Sequence, residues 1–128
     1  MKDEVKPQDI RERSFEFAFR IIALCRQLPK DEVNRILINQ VLRSGTSIGA
    51  NLEEAQGANT RPEFINCTNI AKKEARETNY WLKLIAEANP SFKNRMKTLV
   101  DESEAITKIL TASVKKLKQR KDILRINP

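Results

Sequence analysis

No histidine occurs anywhere in the 128 residues. That absence removes the imidazole base of Ser-His-Asp and Cys-His catalysis, and the Glu-x-x-His pairs through which helical bundles hold two iron ions. Glycine and proline are scarce, at 3 and 5 residues, so the chain has few breaks in its local order. Aromatic residues make up 5%, which leaves few platforms for stacking single-stranded bases. The opening stretch MKDEVKPQDIRERS lacks the apolar centre of a signal peptide. No segment approaches the roughly 18 to 20 apolar residues of a membrane span, so a cytoplasmic protein with no membrane partner is expected. The two cysteines, Cys25 and Cys67, have no C-x-x-C spacing and fall on apolar faces; both read as reduced core residues, without disulfide or metal.

What is present favours helix. Charged residues reach 32%, and long stretches consist of Ala, Leu, Ile, Glu, Lys and Arg. The length suits a single domain, 1–128, able to bury a core without staples. Residues 1–9 and the basic tail 119–128 are expected to be flexible ends.

Periodicity predicts four helices, all-α, in an antiparallel up-down-up-down four-helix bundle. The first runs from Ile10 to Leu28, where Pro29 stops it, and carries two apolar stripes on roughly opposite sides. One is Phe15, Ala18, Phe19 and Ile22; the other is Phe17, Ile21, Leu24 and Leu28. One core does not need both, so the second stripe is expected to serve a homo-oligomer interface. The next helix, Asp31 to Gln56, repeats Val33, Leu37, Val41, Ser44, Ile48, Leu52 and Ala55 on one face. It crosses SGTSIGA in register although Gly45 and Gly49 each cost a helix roughly 1 kcal/mol, an expense that close approach of another helix would offset. Thr60-Arg61-Pro62-Glu63 reads as a capping box, after which Phe64, Cys67, Ala71, Ala75, Thr78, Trp81, Leu82 and Ile85 form an inner face to about Ala88. After Asn89-Pro90-Ser91, the spacing of Met96, Leu99, Ser103, Ile106, Leu110, Val114 and Leu117 continues to the end of the last helix.

The sharpest catalytic pattern is Gly45-Thr46-Ser47-Ile48-Gly49, a literal G-x-S-x-G. Its setting argues against a nucleophile, because that motif works at a strand-turn-helix junction and here the helical period runs through it. No phosphate-binding glycine loop occurs. The expectation is therefore a protein that is not an enzyme, with no cofactor and no small-molecule substrate. Gln40, Arg43, Ser47, Asn51, Glu54, Glu74 and Glu77 lie on or beside the apolar faces of the middle helices. An unpaired charge there would be costly, so Arg43 should meet Glu54, Glu74 or Glu77, either as a structural ion-pair network or as part of a ligand or nucleic-acid site. Arg43 and Glu54 stand eleven residues apart on one helix, about 16 Å, so that pair requires two chains.

The stretches RSGTSIGANLEEAQGA and IAKKEARETNYWLKLI together resemble the bacterial 23S rRNA intervening-sequence protein family, also called the four helix bundle protein family. The resemblance spans roughly Phe15 to Asn89 and rests on Arg43, Ser44, Ser47, Ile48, Asn51 and Glu54, and on Glu74, Glu77, Trp81 and Leu82. It implies a ring-shaped homopentamer without known catalytic activity. A related branch resembles the accessory variability proteins of diversity-generating retroelements, basic pentamers that bind nucleic acid and a reverse transcriptase.

Charge points the same way. Of the net +7, most resides in the last fourteen residues, where Lys115, Lys116, Lys118, Arg120, Lys121 and Arg125 face Asp122 alone. Two functions compete. One is a basic oligomer binding structured RNA or other nucleic acid through phosphates. The other is an oligomeric adaptor for a protein partner such as a reverse transcriptase or ribosomal component. On the plainest reading, the basic run is a solvated helix end complementing the helix dipole.

Overall fold

The computed structural model describes residues 7–126, and side chains over 10–120. Four long helices, α1 (Pro7–Gln27), α2 (Glu32–Gln56), α3 (Arg61–Ala88) and α4 (Lys93–Ile126), are joined by short links, the last containing a 3-10 turn at Pro90–Phe92. The fold is all-α, with no strand among the described residues.

Local chemistry explains the boundaries. Asp31 caps α2 by accepting from the Asn34 backbone N–H at 2.8 Å. Thr60 caps α3 by accepting from Glu63 N–H at 3.2 Å, while Glu63 Oε1 accepts from Asn59 N–H at 3.0 Å, so the expected box forms one residue out of its ideal register. After α1, Lys30 Nζ donates to the carbonyls of Cys25 at 2.7 Å and Leu28 at 2.6 Å, satisfying acceptors that the helix end leaves open.

Each helix packs on two others, α1 and α3 both touching α2 and α4. Polar ties mark the pairings: Arg11 with Glu53, Arg13 with Glu102, Ser44 with Thr78, and Asn79 with Ser103. The core runs along the middle, through Phe17, Ile21, Val41, Ile48, Ala75, Leu82, Met96 and Ile106.

The structure reverses the assignment of the two α1 stripes. Phe17, Ile21 and Leu28 are buried in the chain's own core and Leu24 is packed against it, whereas Phe15 and Phe19 are 75% and 67% exposed. The physical reason lies in α2. A Cβ placed on Gly45 would stand 2.5 Å from Ile21 Cδ1, and one on Gly49 would lie 3.7 Å from Ser14 Cβ. The inward stripe thus includes Ser14, small enough to let α1 approach the glycines closely, and a large Phe15 in that place would hold the helices apart.

Two further expectations shift. Val33 is 60% exposed, and the inward position is taken by Asn34. Phe64, Cys67 and Trp81 are half-buried rather than core, while Ile65 and Thr68 point inward at the start of α3. α4 is helical to Ile126.

Candidate nucleic-acid interface

The last turns of α4 carry the basic residues. Lys115, Lys116, Lys118 and Arg120 are all exposed, but they do not share one face. Lys116 and Arg120, one helical turn apart, stand side by side at the edge of a cavity of about 530 Å³, where Arg11 of α1 joins them. Lys115 and Lys118 are not among the residues that line it. The side chains of Lys121 and Arg125 lie outside the described residues.

The described core of α1 begins at this end of the molecule. Ile10 is its first described core residue, while α4 carries core residues on to Leu110 and Val114. The cavity is walled by Leu52 and Ala55 of α2, Phe64 of α3, and Ile109 and Leu117 of α4. Thr68, Ser113 and Gln119 add polar groups to an otherwise apolar lining. Arg11 is held in place by Glu53, its Nε and Nη2 donating to the two carboxylate oxygens at 3.1 Å. Arg11 and Phe64 were not singled out from the sequence as members of this group. The signal for Arg11 was available, since an up-down-up-down bundle brings the start of its first helix beside the end of its last.

The polar residues of the middle helices meet elsewhere. Arg43 is half-exposed and pairs within its own chain, with Glu74 at 3.4 Å and more closely with Glu77, while its Nη2 also donates to Gln40. Trp81 Nε1 donates to the same Glu77 at 2.8 Å. Ser47 and Asn51 bond to each other along α2, and Glu54 is exposed and stands apart from Arg43. The network is therefore a surface cluster rather than a buried one, and it requires no second chain. Among the described residues no group of histidine, cysteine, aspartate and glutamate side chains is placed to hold a metal ion.

The family model of the 23S rRNA-intervening sequence protein matches residues 6–112, most of the chain. The chain belongs to the 23S rRNA-intervening sequence protein family. A crystal structure of a protein of unknown function from the S23 ribosomal protein family of Bacteroides thetaiotaomicron VPI-5482 is similar, with TM-score 0.77 and 39% identity, over 85% of this chain and 97% of that one. No curated protein matches. The match to the 23S rRNA-intervening sequence protein family contains both α2 and α3 motifs and stops at residue 112, so Lys115 to Arg120 lie beyond it.

No helix among the described residues is long and apolar enough to cross a membrane.

Proposed function

We propose that this chain is a non-enzymatic, cytoplasmic, homo-oligomeric RNA-binding protein whose basic end contacts the phosphates of structured RNA. The observation that carries the reading is the meeting of Arg11, Lys116 and Arg120 at one end of the molecule, with Lys115 and Lys118 exposed on the same turns of α4. Cations so placed attract a polyanion over distance and gain free energy by releasing its condensed counterions. The family's name, which refers to 23S rRNA, supports the choice of RNA over DNA.

The architecture in this reading is an antiparallel up-down-up-down bundle. Residue numbers support it, since Arg11 and Ser14 lie level with Glu53 and Gly49, and Asn34 and Ser44 with Asn89 and Thr78. Assembly is supported by exposed apolar side chains on two helices, Phe15 and Phe19 on α1 and Val33 and Ile36 on α2, all at least 60% exposed. Contact between unlike surfaces is head-to-tail, and such contacts form a ring when the rotation between copies closes. Five copies, the number that the resemblance implies, would multiply the charge of +7 fivefold.

The test replaces Lys115, Lys116, Lys118, Arg120 and Lys121 with Gln and measures binding of a labelled RNA stem-loop over a salt series. Affinity should fall and the plot of log affinity against log salt should flatten, with assembly unchanged. An unchanged slope would overturn RNA binding through this end and leave a protein adaptor as the reading.

A further inference from the structure

Two cations of α4, Lys116 and Arg120, border the cavity, and that juxtaposition says more than charge alone. A flat basic surface would suffice for duplex phosphates. Here Lys116 and Arg120 instead stand at the mouth of a hollow with largely apolar walls, which include the ring of Phe64.

We propose that this cavity receives one unpaired nucleobase of the bound RNA, while Lys116 and Arg120 hold the phosphates that flank it. The inference rests on the RNA-binding reading above and sharpens its target from a duplex to a strand with a base turned out of the stack.

Size, chemistry and charge agree. A volume of about 530 Å³ falls within the roughly 300 to 1,000 Å³ of small-ligand pockets, so a base and its sugar fit whereas a duplex does not. A nucleobase presents an apolar face and a polar edge. The face matches Leu52, Ile109 and Phe64, and the edge matches Ser113 and Gln119, whose hydroxyl and amide groups both donate and accept, and the Thr68 oxygen, whose own proton goes to Phe64 O at 2.9 Å. A hydrocarbon chain would use the walls but leave Ser113 and Gln119 facing no polar partner. An apolar helix face laid over the opening would fill the walls but would bring no anionic group to Lys116 and Arg120. The anionic backbone on either side of an inserted base then falls where the chain places Lys116 and Arg120, on one face and one turn apart. Arg11, fixed by Glu53, closes the α1 side.

The experiment compares two RNAs with the full chain: a stem-loop carrying 2-aminopurine in its loop and a blunt duplex of equal charge. The stem-loop should bind roughly five- to a hundredfold more tightly, the range that stacking of one base on an aromatic side chain covers. Its 2-aminopurine emission should change on binding. Phe64→Ala should erase that preference while leaving duplex affinity in place. Ser113→Trp, which fills the hollow from a half-buried position, should do the same and guards against a folding defect in the first variant. Equal affinity for both RNAs, with the salt slope intact, would overturn the base pocket while sparing phosphate binding. Preference that survives in a folded Ser113→Trp protein would overturn it too. Absence of salt-dependent binding to either RNA would sink the RNA-binding reading itself.

Discussion

Asn34 and Asn89 bond to each other in both directions, each Nδ2 donating to the partner's Oδ1, at 2.9 and 3.0 Å. The pair is buried between the first turn of α2 and the end of α3, and each amide makes a further bond, Asn34 to Pro29 O and Asn89 to Ile85 O. Two links between helices are thereby tied together. Asn34→Ala should cost about 2 to 3 kcal/mol in urea denaturation, because Asn89 keeps a buried amide without its partner. The double change Asn34→Leu with Asn89→Leu should cost less than the two single changes summed, since no orphan remains. Additive costs would mean that the two amides act independently.

In the proposed homo-oligomer, the exposed α1 stripe would separate assembly from folding. Phe19→Glu changes a surface residue and should alter monomer stability by no more than about 0.5 kcal/mol while dissociating the oligomer in light scattering. Ile21→Glu buries a charge in the core and should abolish the cooperative unfolding transition. If Phe19→Glu leaves the oligomer intact, another surface holds the copies together.

Gly49 discriminates contact from collision. Its added Cβ would meet Ser14 Cβ at 3.7 Å, an ordinary contact, so Gly49→Ala should stabilise by up to about 1 kcal/mol through helix propensity. Gly49→Leu must push into the α1 backbone near Phe15 and should cost roughly 1 to 3 kcal/mol. A neutral leucine would show that α1 can move away at little cost.

Cys25 gives a pH dependence of known sign. Burial pushes its thiol from 9.0 up to about 11, with the charge of Lys30 opposing in part. Between those values the unfolded chain has released the proton and the folded one keeps it, so stability falls as pH rises through the window. The loss relative to Cys25→Val should approach the order of 2 kcal/mol near pH 11 and vanish below about pH 8. Parallel curves for the two proteins would place the thiol in water.

Much of the fold was legible in the sequence because helical period, Pro29 and the Thr60 cap are local signals that need no partner. The inner faces of α2 and α4 followed from spacing alone, as Leu37, Val41, Ile48 and Leu52 or Met96, Leu99, Ile106 and Leu110 are all buried. The candidate site was only half legible. Lys116 and Arg120 stood out by charge, but their neighbours Arg11 and Phe64 come from distant parts of the chain and joined them only through packing.

The sequence by itself determined four amphipathic helices, the Thr60 cap, the close approach at Gly45, and a basic end. Tertiary structure decided which of two equivalent α1 stripes turns inward. Periodicity cannot rank two apolar faces of one helix, since each satisfies the same spacing. Packing can, because only the face bearing Ser14, Phe17 and Ile21 offers a small side chain opposite Gly49 and a flexible one opposite Gly45. The same holds for Arg43: helical rise already kept it from Glu54 of its own chain, but its meeting with Glu74 and Glu77 on α3 depends on which helix lies beside α2.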